Sequence, residues 1–236
     1  MFYNNINYKN VACRTTNYAI LTQNTILPIT PLQWRQHAPI LAPNDTSQDI
    51  RITNYINKVI TYFEDLTNYS LITTSVVAMY SLQKNIVSLE VTRNPVGSIA
   101  SFKYYSDTWI FGSEPSTLPT TFFNSITGQT EPTYQLFYGN TKFRDTLIVI
   151  NPNFQFPSLT NTTPHNIEIT LNLTPLNIAG DLLAALLDHI TYCWSWTGNE
   201  DVPDNLLKRQ SFMTTYNKYR NNITNTNHRS GGLYIG

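Results

Sequence analysis

The sequence predicts an α+β fold, with an antiparallel β-sheet or sandwich core, one helix before the strands and two helices after them. Three observations carry this expectation. Apolar residues recur at helical spacing over 46–66, branched and polar residues alternate in short runs between 69 and 173, and helical spacing returns after residue 177.

Taken in order, residues 1–45 hold short apolar pieces, Pro28, Pro31, Pro39 and Pro43, and no period. They read as an extended N-terminal arm that lies on the chain's own core or on a neighbour, because a segment without local structure stays ordered only when something holds it. Thr46 and Asp49 have capping-box spacing, with a short acid at the third position. Behind them Ile52, Tyr55, Ile56, Val59, Ile60, Phe63 and Leu66 form one apolar stripe, the signature of an amphipathic helix. From Tyr69 the pattern becomes β. The run LITTSVVAMYSL, a turn at Gln83–Asn85, the run Ile86–Thr92, a turn at Arg93–Gly97, and then SIASFKYY and TWIFG read as a four-stranded meander.

Residues 113–133 carry three prolines and no period, and read as a long loop with Phe122 and Phe123 within it. Strands resume at YQLFYG, TLIVI and HNIEITLNL, where Ile167, Ile169, Leu171 and Leu173 give the cleanest alternation of the chain. Helices are expected over 177–194 and from an acidic start at Asp201–Asp204 to about Tyr219. The organisation expected is thus an arm at 1–45, one α+β domain at 46–220 and a loose tail at 221–236.

Composition narrows the function. Charged residues are 13% of the chain, about half the usual ~25%. Neutral polar groups replace them, with 27 Asn and 32 Thr among 236 residues, and the formal net charge is zero. An AT-rich coding sequence would also supply Asn, Ile and Tyr, but it would raise Lys as well. A surface so poor in charge suits a protein whose faces are covered by partners, since interface cores are depleted in charge and enriched in aromatics. No basic start followed by an apolar run marks a signal peptide, and no window reaches the ~20 apolar residues of a membrane span. The compartment expected is a virion or a host cytoplasm.

The chemistry-bearing motifs are sparse. No nucleophile elbow, phosphate loop, dinucleotide fingerprint or paired-cysteine motif occurs, so no catalytic residue, cofactor or metal ligand is assigned. His189 and Cys193 are four apart and could form half a zinc site, yet Leu182, Leu186, His189 and Cys193 make one apolar stripe, which reads as core. His37, His165 and His228 sit alone in polar contexts, and Glu64–Asp65 and Glu200–Asp201 read as wet helix ends. Beyond Asp204, Lys208, Arg209, Lys218, Arg220 and Arg229 alternate with Phe212, Tyr216 and Tyr219. On a neutral chain this fits a protein neighbour better than nucleic acid. The interface candidates are therefore Phe122, Phe123, Arg209, Phe212, Tyr216, Tyr219 and Tyr234.

Together these features point to a non-enzymatic structural subunit of a multi-subunit assembly, a virion component such as a capsid, vertex or tail–neck part. Its expected partners are copies of itself and other assembly subunits, with no membrane and no nucleic acid. The competing expectation is a glycan-binding β-rich module using Trp109, Trp194 and Trp196, and behind it a hydrolase with an unrecognised acid pair.

Overall fold

The computed structural model of the chain describes residues 12–14, 17–24, 26–82, 88–138, 146–178, 180–195 and 210–219. In chain order the elements are β1 (Ala12–Arg14), β2 (Asn17–Gln23), α1 (Pro31–His37), α2 (Asp49–Thr67), β3 (Thr74–Tyr80), β4 (Ser88–Val91), β5 (Val96–Tyr104), β6 (Ser116–Thr117), β7 (Thr121–Asn124), β8 (Gln129–Pro132), β9 (Tyr134–Tyr138), β10 (Thr146–Ile150), β11 (Ile167–Leu173), α3 (Asp181–Ser195) and α4 (Gln210–Tyr219). The fold is α+β with antiparallel sheets, as predicted. The turn expected at 83–85 and the caps expected at 201–204 lie outside the described residues.

The described residues divide into two compact units, each assembled from two separated stretches. One is a β unit, from 12–22 and 74–173; the other is helical, from 23–73 and 174–219.

The β unit is a sandwich. One sheet has the order β1-β4-β10-β9 and the other β2-β3-β11-β5-β6. Their inner faces share a single core, with Val76, Ala78 and Tyr80 of β3 and the four apolar residues of β11 on one side, and Leu89, Val91, Ile148 and Ile150 on the other. In β11 every second residue is buried, so the alternation read from the sequence is the pleat itself. The pairs β4–β10, β9–β10, β3–β11, β5–β11, β5–β6 and β7–β8 are antiparallel, and β1–β4 is parallel.

The expected meander is not formed. β3 and β5 both pair with β11, while β4 lies in the opposite sheet between β1 and β10. Asn166 clamps this long-range arrangement. Its Nδ2 donates to Leu82 O at 2.7 Å and its Oδ1 accepts the Leu82 N–H at 2.9 Å. The register of β5 against β11 slips twice, leaving Ala100 and Gly97 unopposed, which breaks the burial alternation of β5.

In the helical unit, α2 buries the predicted stripe from Ile52 to Phe63, with Leu66 half-buried. Its start differs from expectation. The residue before it is Gln48, no side chain caps the helix, and Thr46 contributes only its carbonyl, to Asp49 N–H at 3.1 Å. The capping box is instead at α1, where Thr30 and Gln33 satisfy each other's backbone N–H groups and Pro31 takes the first turn. This puts a short helix inside the stretch read as an extended arm, with Ile29 and Trp34 buried.

Glu64 is also not a wet helix end. It is buried, and its Oε1 accepts the N–H groups of Leu71 at 2.7 Å and Ile72 at 3.3 Å, closing the turn behind α2. Asn68 ends the helix in the left-handed region, at φ 60°, which Asn adopts more readily than most residues. Glu64→Ala strands two buried donors and is expected to cost about 2–4 kcal/mol in urea unfolding. Glu64→Gln, which keeps an acceptor oxygen, should cost less than half as much. Equal losses in the two variants would show that the N–H bonds contribute nothing.

Candidate assembly surfaces

The seven interface candidates fall in different parts of the fold. Phe122 and Phe123 lie on β7, which pairs with β8 in a hairpin where a long loop was expected. Successive strand residues point to opposite faces, and the two rings separate accordingly. Phe122 packs edge-on against Phe154, with centroids 5.3 Å apart, while Phe123 is exposed, as is Ile126 in the turn. The hairpin is held by a polar network at its base. Glu131, nearly buried, accepts from Thr127 Oγ1 (2.8 Å), Asn124 Nδ2 (2.8 Å) and Asn151 Nδ2 (3.0 Å). The Thr127 bond is the largest of the effects that hold its carboxyl below the usual range.

On α4, Phe212 and Tyr216 are interior residues of the helical unit rather than surface anchors. Phe212 stacks on His189 at 3.8 Å, and the Tyr216 hydroxyl sits 3.0 Å from His189 Nδ1. They are drawn inward because α4 packs against both α2 and α3, so its aromatic stripe is the core face. Tyr219 is half-buried, edge-on to Phe63 at 6.1 Å, and its hydroxyl donates to Asp181 Oδ1 at 3.2 Å. Lys218 donates to the other oxygen of Asp181 at 3.1 Å, and this bond leads the effects lowering the Asp181 pKa. Arg209 and Tyr234 lie outside the described residues.

His189 and Cys193 belong to the core. Burial lowers the imidazole to about 3 and raises the thiol to about 11, so neither is charged near neutrality. Among the described residues no group of three His, Cys, Asp or Glu is placed to hold a metal ion. His37 and His165 are not alone, as the sequence suggested. His37 Nε2 is 2.8 Å from Asp188 Oδ1, and His165 Nε2 is 2.9 Å from Glu168 Oε1. The tryptophans do not offer open stacking faces in the helical unit. Trp194 lies 5.1 Å from Trp34 and has the Arg51 guanidinium over its ring at 4.5 Å. Trp196 is outside the described residues.

Two exposed features of the β unit were not anticipated. The run TWIFG is not a strand but a turn between β5 and β6. Trp109 N–H bonds Ser106 O at 3.0 Å, Ser113 N–H bonds Ile110 O at 3.0 Å, and Trp109 Nε1 donates to Ser113 O at 2.9 Å. Trp109 rests edge-on against Tyr105 at 5.0 Å. Tyr105 is fixed in turn by donating to Glu168 Oε1 at 2.6 Å, and burial with that carboxylate pushes its pKa up to about 12. This braced turn presents Ile110, 75% exposed, and Phe111, 94% exposed.

The second feature is β2, the edge of its sheet among the described residues. Its Tyr18 hydroxyl accepts the N–H groups of Thr92 and Arg93, at 2.7 and 3.0 Å, while Ile20 and Leu21 are 55% and 53% exposed. As neighbours on a strand, Ile20 and Leu21 face opposite sides, so β2 is apolar on both faces. The signal that could have found both features is apolar residues adjacent to one another in uncharged segments.

No protein-family model and no curated protein matches the sequence. Solved structures do. A chain from the structure titled "Virion of native gene transfer agent (GTA) particle" superposes with TM-score 0.58 at 12% identity, covering 91% of this chain and 97% of the other. A chain from "Neck of empty GTA particle computed with C6 symmetry" gives 0.57 at 12%, with the same 91% and 97% coverage. A third, from "Neck of native GTA particle computed with C12 symmetry", gives 0.52 at 12%, covering 92% and 98%. The likeness is one of fold. It runs nearly end to end in both partners, so it embraces the β sandwich and the helices alike.

Proposed function

We propose that this chain is a structural subunit of a virus-like particle, placed at its neck and acting through contacts with copies of itself and with other particle subunits. The observation that carries the reading is the end-to-end likeness to chains of gene transfer agent necks and virions. The chemistry of the chain supports it. The polar clusters at Glu131, Glu64 and Glu168 each have a structural task, closing a hairpin, a turn and a loop base, and exposed Ile20, Leu21, Phe123 and Ile126 sit in stretches without a charged residue. Such a subunit works by shape and contact rather than by catalysis. The symmetric necks of the similar structures favour copies arranged around an axis.

The test is quantitative mass spectrometry of nuclease-treated, density-purified particles from cells that express the chain. The expected result is a small fixed number of copies per particle, far below that of the major shell protein. Absence of the chain from such particles overturns the reading.

A further inference from the structure

Within the helical unit, we infer that α4 is an acid-released latch: protonation of His189 lets this helix lift away while α1, α2 and α3 stay joined. The imidazole stands where three helices meet. It is carried by α3 and is completely buried. Phe212 of α4 stacks on it at 3.8 Å, the Tyr216 hydroxyl of α4 lies 3.0 Å from Nδ1, and Tyr62 of α2 stands edge-on at 5.7 Å. Nε2 has no hydrogen-bond partner among the described residues. A neutral ring is at home in such apolar company. An imidazolium carries two N–H donors, and the one at Nε2 meets no acceptor there. A buried charge without a partner is costly enough that water must reach it.

Lifting α4 wets the ring without dismantling the other helices. α4 has ten residues, too few to persist by propensity, and it packs on α2 and α3. Its holds are Phe212 and Tyr216 at the imidazole, the Met213 sulfur accepting from the Tyr62 hydroxyl at 3.4 Å, and Lys218 and Tyr219 on Asp181. The other three helices are joined independently of it. α2 and α3 pack directly on each other and α1 packs on both. Trp194 of α3 meets Trp34 of α1 at 5.1 Å and Tyr55 of α2 at 6.2 Å. An element docked on a core that is complete without it opens at a lower cost than the whole.

The groups around the ring do not relieve the charge. α2 brings the Tyr62 phenol, and the Lys58 charge reaches Cys193. α3 adds Cys193, which burial keeps protonated, and Tyr192, whose ring lies 6.3 Å from Phe212. α4 supplies the Tyr216 phenol and no carboxylate. The carboxylates of α2 and α3 are occupied or exposed: Asp49 pairs with Arg35, Glu64 accepts from Leu71 and Ile72, Asp188 meets His37, Asp181 holds Lys218 and Tyr219, and Asp65 is exposed. Burial alone lowers the folded pKa of His189, to about 3 from 6.5. With α4 lifted the ring regains its ordinary value. Acid therefore adds nothing to opening above pH 6.5, and about tenfold for each unit below about 6. Asp181, lowered chiefly by its Lys218 bond, releases its hold only at lower pH.

The experiment is hydrogen–deuterium exchange of the full-length chain, read by mass spectrometry at about pH 7, 6 and 5 and corrected for the intrinsic exchange rate at each pH. The expected result is that amide protection in α4 falls close to tenfold from about pH 6 to 5, while protection in α2 holds. His189→Gln, which can still bond the Tyr216 hydroxyl but does not titrate, should leave α4 protection flat with pH. Asp181→Asn, which loosens Lys218 and Tyr219, should lower α4 protection at every pH and keep the slope. Loss of protection in α2 and α4 together, or constant α4 protection from about pH 7 to 5, overturns the latch. So does a slope that survives in His189→Gln or vanishes in Asp181→Asn. Where His189→Gln does not fold, the comparison of α4 with α2 in the unsubstituted chain decides. The latch belongs to the helical unit and stands or falls apart from the neck reading.

Discussion

Replacing Trp34 with alanine is expected to lower the free energy of unfolding by about 3–5 kcal/mol, the range for deleting a large buried aromatic. The indole is completely buried, stands 5.1 Å from Trp194, and donates from Nε1 to Thr191 Oγ1 at 3.0 Å. Its helix, α1, is seven residues long, too short to persist by propensity, so the ring is what pins it to α3. The loss should exceed simple cavity formation, because Trp194 and the Arg51 guanidinium above it lose a packing surface as well. Urea titration with far-ultraviolet circular dichroism measures the effect, and Trp34→Phe, which keeps an aromatic but not the N–H, should lie between. A loss below about 1 kcal/mol for alanine would mean that α1 is not anchored in this way.

Acid is expected to destabilise the protein before its carboxylates titrate. His189 has a folded pKa of about 3 against an ordinary 6.5, and burial is the cause. A base whose pKa is depressed by folding binds its proton more readily in the unfolded chain. Its contribution is therefore fully present above pH 6.5 and is lost as the pH falls toward 3. The slope approaches about 1.4 kcal/mol per pH unit, for a total of roughly 5 kcal/mol. The groups facing the ring leave it little help. Tyr216 and Tyr62 are phenols, Phe212 is apolar, Cys193 is held protonated, and among the described residues Nε2 has no hydrogen-bond partner. Glu131 and Asp181, both held below the usual carboxylate range, contribute only at lower pH, and the variant below separates the histidine from the other groups. Denaturant melts from about pH 6 to 4.5 should show the slope, and His189→Gln, which can still bond the Tyr216 hydroxyl but does not titrate, should abolish it. A wild-type midpoint that stays constant from pH 6.5 to 4.5 would contradict the assignment.

The parts of this fold that were legible in the sequence are those where one periodicity holds over a long run. β11 and α2 bury the residues that their alternation and 3.6-residue spacing select. What was not legible follows from three physical causes. The β7–β8 hairpin is held by Glu131 and its hydroxyl and amide partners rather than by an apolar face, so it leaves no alternating signal and reads as loop. The run TWIFG has strand-like composition, but composition does not say whether a neighbour strand exists, and here hydrogen bonds of Trp109 and Ser113 fold it into a turn. Strand order was misread because β3 and β5 find their partner in β11, far along the chain, instead of in each other.

The interface candidates show the same limit. Aromatic residues in polar company mark a surface or a core equally well from sequence alone. Phe123 is on the surface, Phe212 and Tyr216 are inside, and the distinction was made by the neighbouring helices, not by the local residues. Phe111 was missed because it was counted as part of a strand.

The interleaving of the two units has a consequence for synthesis. The helical unit needs both 23–73 and 174–219, and the Trp34–Thr191 bond spans 157 positions. On the ribosome, α1 and α2 emerge first and then wait, with their apolar stripes uncovered, while the whole intervening β stretch is made. The sandwich, whose major stretch is continuous, can close earlier and shorten the tether between the waiting helices and α3. A nascent chain halted near residue 175 should thus protect β3–β11 from protease while leaving α2 open to cleavage.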